Sequence, residues 1–585
     1  MPPMLASLNP GWLLILAGVA SLFITARQVR QAVTIAVPMI GLALLVTATP
    51  NVDLASADIL GLKLVLYRVD GLNFVFSLAF LIAALLNAIY ALHTDDRIQD
   101  GMALAYGGAA VSATLGGDLM TLFVFWELTA VTSVFMILRA QTRASYQAAM
   151  RYLGVQVLSG VLLLTGIAYV LNSRGTLALE AFTDLRDPGV LFIFFAFGIK
   201  AAFPLLHNWL QDAYPKATVV GSVVLSAFTT KLAIYALARM FPGQHYLIWI
   251  GAIMTVFPVF YAVIENDLRK VLSYSINNQM GFMVCGVGLG TPLAINGVVA
   301  HAFADIFFKG LLMMSMGAVL YRTGTVKASE LGGLHRSMPW TTLFCIIGAM
   351  SISAFPLFSA FVTKSMIISE AAAGGYAIIF LMLMFASAGV LEHSGIKIPY
   401  YAFFGHDSGI RVKEAPFNML LAMGLAAFLS MWVGLPAIVP GIGHQWLYSL
   451  LPYREEALGY SHHHLFTLDH ILTQMQLLVL AIFAFVLLKR VHFYPPEKRG
   501  VILDTDWLYR KLGFGLASWA GTVWGKAGPA MTAAFGRMTD RAYAWIEAAF
   551  SPRGELARGG LTGAMAVWTA ALLGVVLLLS FAAAG

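Results

Sequence analysis

GIKAAFPLLHNWLQDAYPKATVVGSVVLSAFTTKLAIYALAR, residues 198–239, sets two lysines, Lys200 and Lys231, within apolar stretches that read as membrane spans at 189–210 and 217–240. About twenty apolar residues suffice to cross a bilayer as a helix. Lipid offers the backbone no hydrogen-bond partner, so the spans are helical. Phe203-Pro204 follows Lys200 closely, and Pro215 precedes the next span. Proline frees backbone carbonyls and opens helices at polar sites. A charge at mid-bilayer costs about 2.5–3.5 kcal/mol on insertion scales, so a lysine retained there argues for a function.

The rest of the chain repeats this character. Of its 585 residues, 59% are hydrophobic and 11% charged, against about a quarter charged in soluble domains. Spans are expected near 10–26, 32–49, 71–92, 101–117, 119–138, 148–172, 189–210, 217–240, 245–264, 270–290, 294–320, 341–361, 375–404, 416–439, 470–488 and 562–583. The fold class is therefore an all-α polytopic membrane protein of about 14–16 transmembrane helices. The first apolar stretch continues into further spans, so no cleavable signal is expected.

Arginines and lysines concentrate after odd-numbered spans: Arg27 and Arg30; Arg139, Arg143 and Arg151; Arg269 and Lys270; Arg322, Lys327 and Arg336; Arg411 and Lys413. The positive-inside rule then puts the N-terminus outside and residues 489–560 in the cytoplasm. Cys285 and Cys345 lie in apolar stretches and suggest neither a metal cluster nor a disulfide. His462, His463 and His464 read as a solvated loop before a metal site. GVGLG at 286–290 is apolar and intramembrane, a packing feature and not a dinucleotide site. No cofactor and no metal is expected.

Residues 505–550 differ. Leu508, Leu512, Leu516, Trp519 and Val523 share one helix face, and after Pro529 the pattern resumes at Met531, Phe535, Met538, Ala542 and Trp545. A broken amphipathic helix lying on the membrane surface or on neighbouring helices is expected.

Ten ionisable residues fall within the spans: Glu127, Lys200, Lys231, His301, Asp305, Lys309, Lys364, Glu392, His393 and Lys397. Any one alone is explained by an interhelical ion pair or by snorkelling at a helix end. As a set they read as a proton or ion path. Burial disfavours the charged form of a lysine and a nearby carboxylate restores it, so a buried Glu–Lys pair can switch. Phe355-Pro356 interrupts a second segment before Lys364, and Pro399 follows Lys397. Interrupted spans in corresponding halves are a sign of inverted repeats with a midplane site.

Several longer motifs add a resemblance. They are DLMTLFVFWELTAVTSVFMI (118–137), the stretch at 198–239, ENDLRKVLSYSINNQMGFMVCGVGLG (265–290), HAFADIFFKGLLMMSMGAVLY (301–321) and MPWTTLFCIIGAMSISAFPLFSAFVTKSMI (338–367). The chain resembles, over roughly residues 65–440, the antiporter-like subunit family shared by Mrp-type multisubunit Na+/H+ antiporters, respiratory complex I and membrane-bound hydrogenases. SAFTTKLAIYALAR looks most like the D-type component of Mrp antiporters.

The resemblance implies two inverted five-helix repeats with broken helices. It implies that Glu127 is the family's WE glutamate, Lys200 its partner and Lys231 the connecting lysine. Lys309 matches the central lysine of the second half-channel, with His301 two turns before it. Asp305 stands where relatives commonly carry a second histidine, one turn from Lys309, and the two are expected to pair. Lys397 is the expected terminal site, with Glu392 and His393 as rivals.

The implied organisation is 1–100 N-terminal helices, 101–240 first half-channel, 241–405 second half-channel, 406–490 C-terminal helices, 491–560 cytoplasmic amphipathic segment and 561–585 final transmembrane helix. The implied role is proton translocation in a multisubunit Na+/H+ antiporter of the bacterial cytoplasmic (inner) membrane, as a transporter subunit and not an enzyme. Its partners would be other membrane subunits, protons, Na+ and lipid, with no nucleic acid. The alternative is a proton-pumping subunit of a complex I-like or hydrogenase-type redox complex. A stand-alone organic-substrate transporter is disfavoured, because the polar residues form a line of single groups. The membrane half of a bicarbonate-accumulating pair is a further rival.

Overall fold

The computed structural model describes residues 7–59, 61–495, 500, 502, 504–550 and 562–583. They form two units, Met1–Asp504 and Thr505–Gly585. The parts of the amphipathic segment at 496–499, 501, 503 and 551–561, and the ends of the final helix at 561 and 584–585, lie outside the described residues.

The first unit opens with α1 (Pro10–Ser21), α2 (Arg27–Val46), α3 (Gly71–Ala91) and α4 (Arg97–Leu115). Between α2 and α3 a hairpin adds to the all-helical expectation: β1 (Asp53–Ile59) pairs antiparallel with β2 (Leu62–Arg68). Gly61, at φ +77°, supplies the left-handed residue that so tight a reversal needs. The hairpin docks on the N-terminal cap of the helix that begins at Leu119, since the Val65 N–H donates to the Asp118 carboxylate at 2.8 Å and the Gly117 N–H to the Val65 carbonyl at 2.8 Å.

Ten crossings follow. They are α5 (Leu119–Leu138), α6 (Arg143–Arg174), α7 (in two pieces, Pro188–Lys200 and Asn208–Ala213), α8 (Val219–Ala227 and Thr229–Met240) and α9 (His245–Ile264). Then come α10 (Leu268–Leu289), α11 (Pro292–Thr323), α12 (Pro339–Ile352 and Ser359–Ala373), α13 (Ala377–Phe404) and α14 (Phe417–Trp432). α15 (Leu468–Arg490) ends the helical part of this unit. Nine helices among the described residues are long and apolar enough to cross a membrane, and shorter apolar helices accompany them.

The ten crossings are one pattern written twice. Asp118 caps α5 and bridges to Ala178, while Asp267 caps α10 and bridges to Lys327; both ends of the second bridge lie 149 residues beyond the first (267 − 118 and 327 − 178). α6 and α11 are each 32 residues long and start 149 residues apart. α7 and α12 break alike: Ala202 (φ 61°) and Leu205 (φ 71°) flank Phe203-Pro204, and Ala354 (φ 58°) and Leu357 (φ 74°) flank Phe355-Pro356. Left-handed backbone at non-glycine residues costs on the order of 1–3 kcal/mol each and persists where packing enforces it, often at functional sites. Five crossings separate the copies, an odd number, so the second runs through the bilayer in the opposite sense to the first. The two inverted five-helix repeats thus run 119–264 and 268–432.

In the second unit, residues 508–513 lead into α16 (Phe514–Phe550), followed by α17 (Thr562–Ala583). The expected break at Pro529 is absent: α16 runs through it as one helix. Proline removes a single backbone hydrogen bond there, and 37 residues of continuous helix span about 55 Å at 1.5 Å per residue. Leu516, Trp519, Val523, Phe535 and Trp545 are exposed on this unit.

Candidate functional site

Lys200, Lys231 and Lys364 stand at the helix breaks, and each donates to a backbone carbonyl. Lys200, the last residue of the first piece of α7, is fully buried and donates to the Trp126 carbonyl at 2.6 Å and the Thr129 hydroxyl at 3.0 Å. Its ammonium lies 4.3 Å above the Trp126 ring, a favourable cation–π placement. The indole N–H donates to Ser159 at 3.1 Å, and Ser159 to the Ala196 carbonyl at 2.7 Å, which ties α5, α6 and α7 together around the lysine.

Glu127, the next residue on α5, is half-buried, and its Oε1 has no hydrogen-bond partner. Among the described residues no ion pair closes between Glu127 and Lys200. The carboxylate lies instead over Gly160 of α6, where a Cβ would fall 1.8 Å from Oε1. The expected pair is thus adjacent and open, with the lysine resting on backbone oxygen.

α8 breaks at Phe228. Lys231, in the first turn of its second piece, donates to the Ser226 carbonyl at 3.0 Å and pairs with Asp305 at 2.7 Å, both side chains fully buried. This corrects the expected Asp305–Lys309 pair. One helical turn places the two on one face of α11, but Asp305 reaches across to α8, and Lys309 donates to Ser275 of α10 at 2.6 Å. Ser394 of α13 also donates to Ser275, at 2.8 Å. His301, two turns before Lys309, joins Gln279 at 3.0 Å to Thr363 at 2.9 Å. α11 therefore links the two repeats: Asp305 faces Lys231 of the first, and His301 and Lys309 face the second.

α13 departs from α-helical winding around Lys397, with wider π turns over Leu391–Ile396 and Tyr400–Phe404. Lys397 is buried and donates to the carbonyls of Ala262, Val263 and Glu265, closing the C-terminal end of α9 as a cationic cap. Of its rivals, Glu392 accepts a hydrogen bond from the Tyr494 hydroxyl, and His393 contacts the Gly389 carbonyl through Nδ1 while its Nε2 is buried without a partner.

Lys364 is the residue that sequence reasoning counted among the buried charges yet left out of the path. It sits on the second piece of α12, donates to the Ile352 carbonyl across the break at 2.9 Å, and lies 4.9 Å from the Phe282 ring. It also lines a cavity of about 250 Å³ with Ser365, Ser369, His470, Thr473 and Gln474. The signal available for it was the Ala-Phe-Pro-Leu of 202–205 returning at 354–357.

Two repeats with broken helices that bury Lys200, Lys231, Lys309, Lys364 and Lys397 define a polytopic membrane fold of the antiporter-like class. Residues 116–391 match the family model described as NADH:quinone oxidoreductase/Mrp antiporter, TM, so this region belongs to the family that the motifs implied. The D component of the Na(+)/H(+) antiporter of Alkalihalophilus pseudofirmus is 32% identical over 314 residues, covering 50% of this chain and 63% of that protein. The match thus spans less than two thirds of that relative's length. A chain in the structure of the Mrp complex from Dietzia sp. superposes with a TM-score of 0.68 at 22% identity, covering 82% of this chain and all of that one. A chain of the membrane-bound sulfane sulfur reductase, an archaeal respiratory membrane complex, gives 0.66 at 20% identity, over 97% and 99%. These two likenesses concern the fold.

Proposed function

We propose that this chain is the proton-translocating subunit of a multisubunit monovalent cation/proton antiporter of the Mrp type, with Na+ as the exchanged cation, in a bacterial cytoplasmic membrane. One observation carries the reading: seven fully buried ionisable side chains, Lys200, Lys231, Asp305, Lys309, His301, Lys364 and Lys397, with half-buried Glu127, lie at or between the broken helices of both repeats. A buried lysine on a carbonyl can be neutral or charged at modest cost, whereas a permanent charge there must be matched. Each lysine can thus accept a proton and pass it on when its neighbour's charge changes. Glu127 controls Lys200, and Asp305 holds Lys231. Lys309 and His301 carry the second repeat, and Lys364 and Lys397 close it.

The test is exchange in vesicles holding the assembled complex. Lys200→Ala and Lys200→Arg should both abolish proton-coupled transport while assembly persists, since arginine stays protonated at working pH. Normal transport by Lys200→Ala would sink the proposal. The family model covers quinone-reducing relatives as well as antiporters. Co-purification of iron–sulfur or flavin subunits would move this chain to the redox branch without changing the path.

A further inference from the structure

A buried carboxylate that the path above does not use enters the first repeat from far along the chain. Asp504, the last residue of the first unit, accepts a hydrogen bond from the Tyr274 hydroxyl at 2.9 Å and lies 3.2 Å from His207 Nε2. Side-chain exposure is 1% for His207 and 4% for Asp504, so this is an interior contact. Three distant pieces of chain meet there: the α7 break, α10 and residue 504. His207 immediately follows the strained Phe203–Leu206 turn and precedes the second piece of α7. Asn277 of α10 steadies the same break by donating to the Ala202 carbonyl at 2.8 Å.

Further polar atoms without protein partners lie on this piece of α7 and on α6, which packs against it. The second ring nitrogen of His207 is one, and both amide atoms of Gln211, one turn on, are others. α6 packs against this piece through Arg151–Asp212 at 2.8 Å and an edge contact of Tyr152 with Trp209 at 5.6 Å. On α6, Gln156 again has both amide atoms unpartnered, and one turn further is Gly160, over which Glu127 lies. Buried polar groups without partners are few in folded proteins, so a succession of them ending at Glu127 calls for an explanation.

We infer that Asp504 and His207 form a proton-loading site feeding the first repeat, with Tyr274 positioning the carboxylate. A proton taken up by the Asp504 carboxylate passes to His207 Nε2; the imidazolium releases the proton on Nδ1 inward along Gln211 and Gln156 to Glu127. No charge is left behind. The surrounding charges are accounted for. Tyr261 stacks on Tyr274 at 5.4 Å, and Lys270 lies over the Tyr274 ring and is paired with Glu265 at 2.8 Å. Lys397 is engaged by backbone carbonyls, and Asp212 by Arg151 and Lys216.

The inference rests on the proton-translocating reading, so the experiment includes Lys200→Ala. In vesicles holding the full-length assembled complex, Asp504→Asn should slow proton-coupled exchange at least tenfold, and Asp504→Glu should recover half or more of the rate. His207→Gln keeps a donor for Asp504 but has no second titrating nitrogen. It should be as slow as Asp504→Asn, whereas a mere structural clip would leave it active. A wild-type rate in Asp504→Asn, no recovery in Asp504→Glu, or an active His207→Gln overturns the inference. If Asp504→Asn fails to assemble, His207→Gln alone decides. Transport by Lys200→Ala would instead overturn the parent reading.

Discussion

Gly160→Ala is the smallest change that displaces the carboxylate of Glu127 without touching it. The new methyl carbon would stand 1.8 Å from Oε1, 2.2 Å from Cδ and 2.8 Å from Oε2. Ordinary contact begins at 3.4 Å, so the carboxylate has to retreat by about 1.6 Å. Glu127 is half-buried and its side chain can rotate, so the helices need not separate. Alanine in a helix interior is favoured over glycine by roughly 0.5–1 kcal/mol, which leaves the fold as stable as before or slightly more so. Transport should respond differently. Misplacing a reacting group by about 1 Å can cost on the order of 100-fold, and a fall of roughly 10- to 100-fold in proton-coupled exchange is expected. The assay is pH-gradient dissipation in vesicles, with thermal unfolding of the detergent-solubilised complex measured beside it. Slow exchange with an unchanged or raised melting temperature is the expected pair of results. In a Glu127→Gln background the added methyl should cost nothing further, because the group it displaces no longer carries the proton. Exchange above half the wild-type rate in the single variant, or a further loss in the double one, refutes the positioning argument.

Lys231 and Asp305 should behave as one buried pair. Lys231→Met or Asp305→Asn alone strands a charge and should destabilise the solubilised protein by about 3–5 kcal/mol, while the double variant recovers most of it; additive losses by thermal melting would contradict the pairing. Outside the spans, burial holds His444 below its ordinary value of 6.5, where it contacts the Leu435 carbonyl at 2.9 Å and Ser461 at 2.5 Å. The folded state then binds fewer protons than the unfolded state, so local stability is full above pH 6.5 and declines as pH falls below it. Hydrogen exchange of residues 444–465 should accelerate through that range in wild type, and His444→Gln should flatten the dependence.

Composition and span length made the membrane class readable, because bilayer thickness fixes the length of every crossing. The two Phe-Pro interruptions pointed to the broken helices, since proline acts locally. What the sequence withheld was reach across helices. Asp305 and Lys309 share a face, but periodicity is silent on a lysine presented by α8, and that neighbour takes the carboxylate. Glu127 and Lys200 are adjacent but unpaired, because Gly160 gives the carboxylate a different seat. Lys397 was expected as the terminal site on the resemblance, with Glu392 and His393 as rivals; the matching backbone turns of α7 and α12 add Lys364 beside it. Pro529 shows the converse limit, a breaker that an otherwise continuous helix absorbs.

The 149-residue spacing lets the copies be laid over one another position by position. Tyr152, Gln156 and Gly160 of α6 fall on His301, Asp305 and Lys309 of α11. Glu127 falls on Ile276, and Trp126 on Ser275, the acceptor for Lys309. Where one copy has an acid on its first helix above a bare glycine, the other has Ile276 in place of the acid and Lys309 in place of the glycine. The frame is thus symmetric, while the side chains at a few aligned positions give it polarity. A path through such a frame would meet different chemistry in each half.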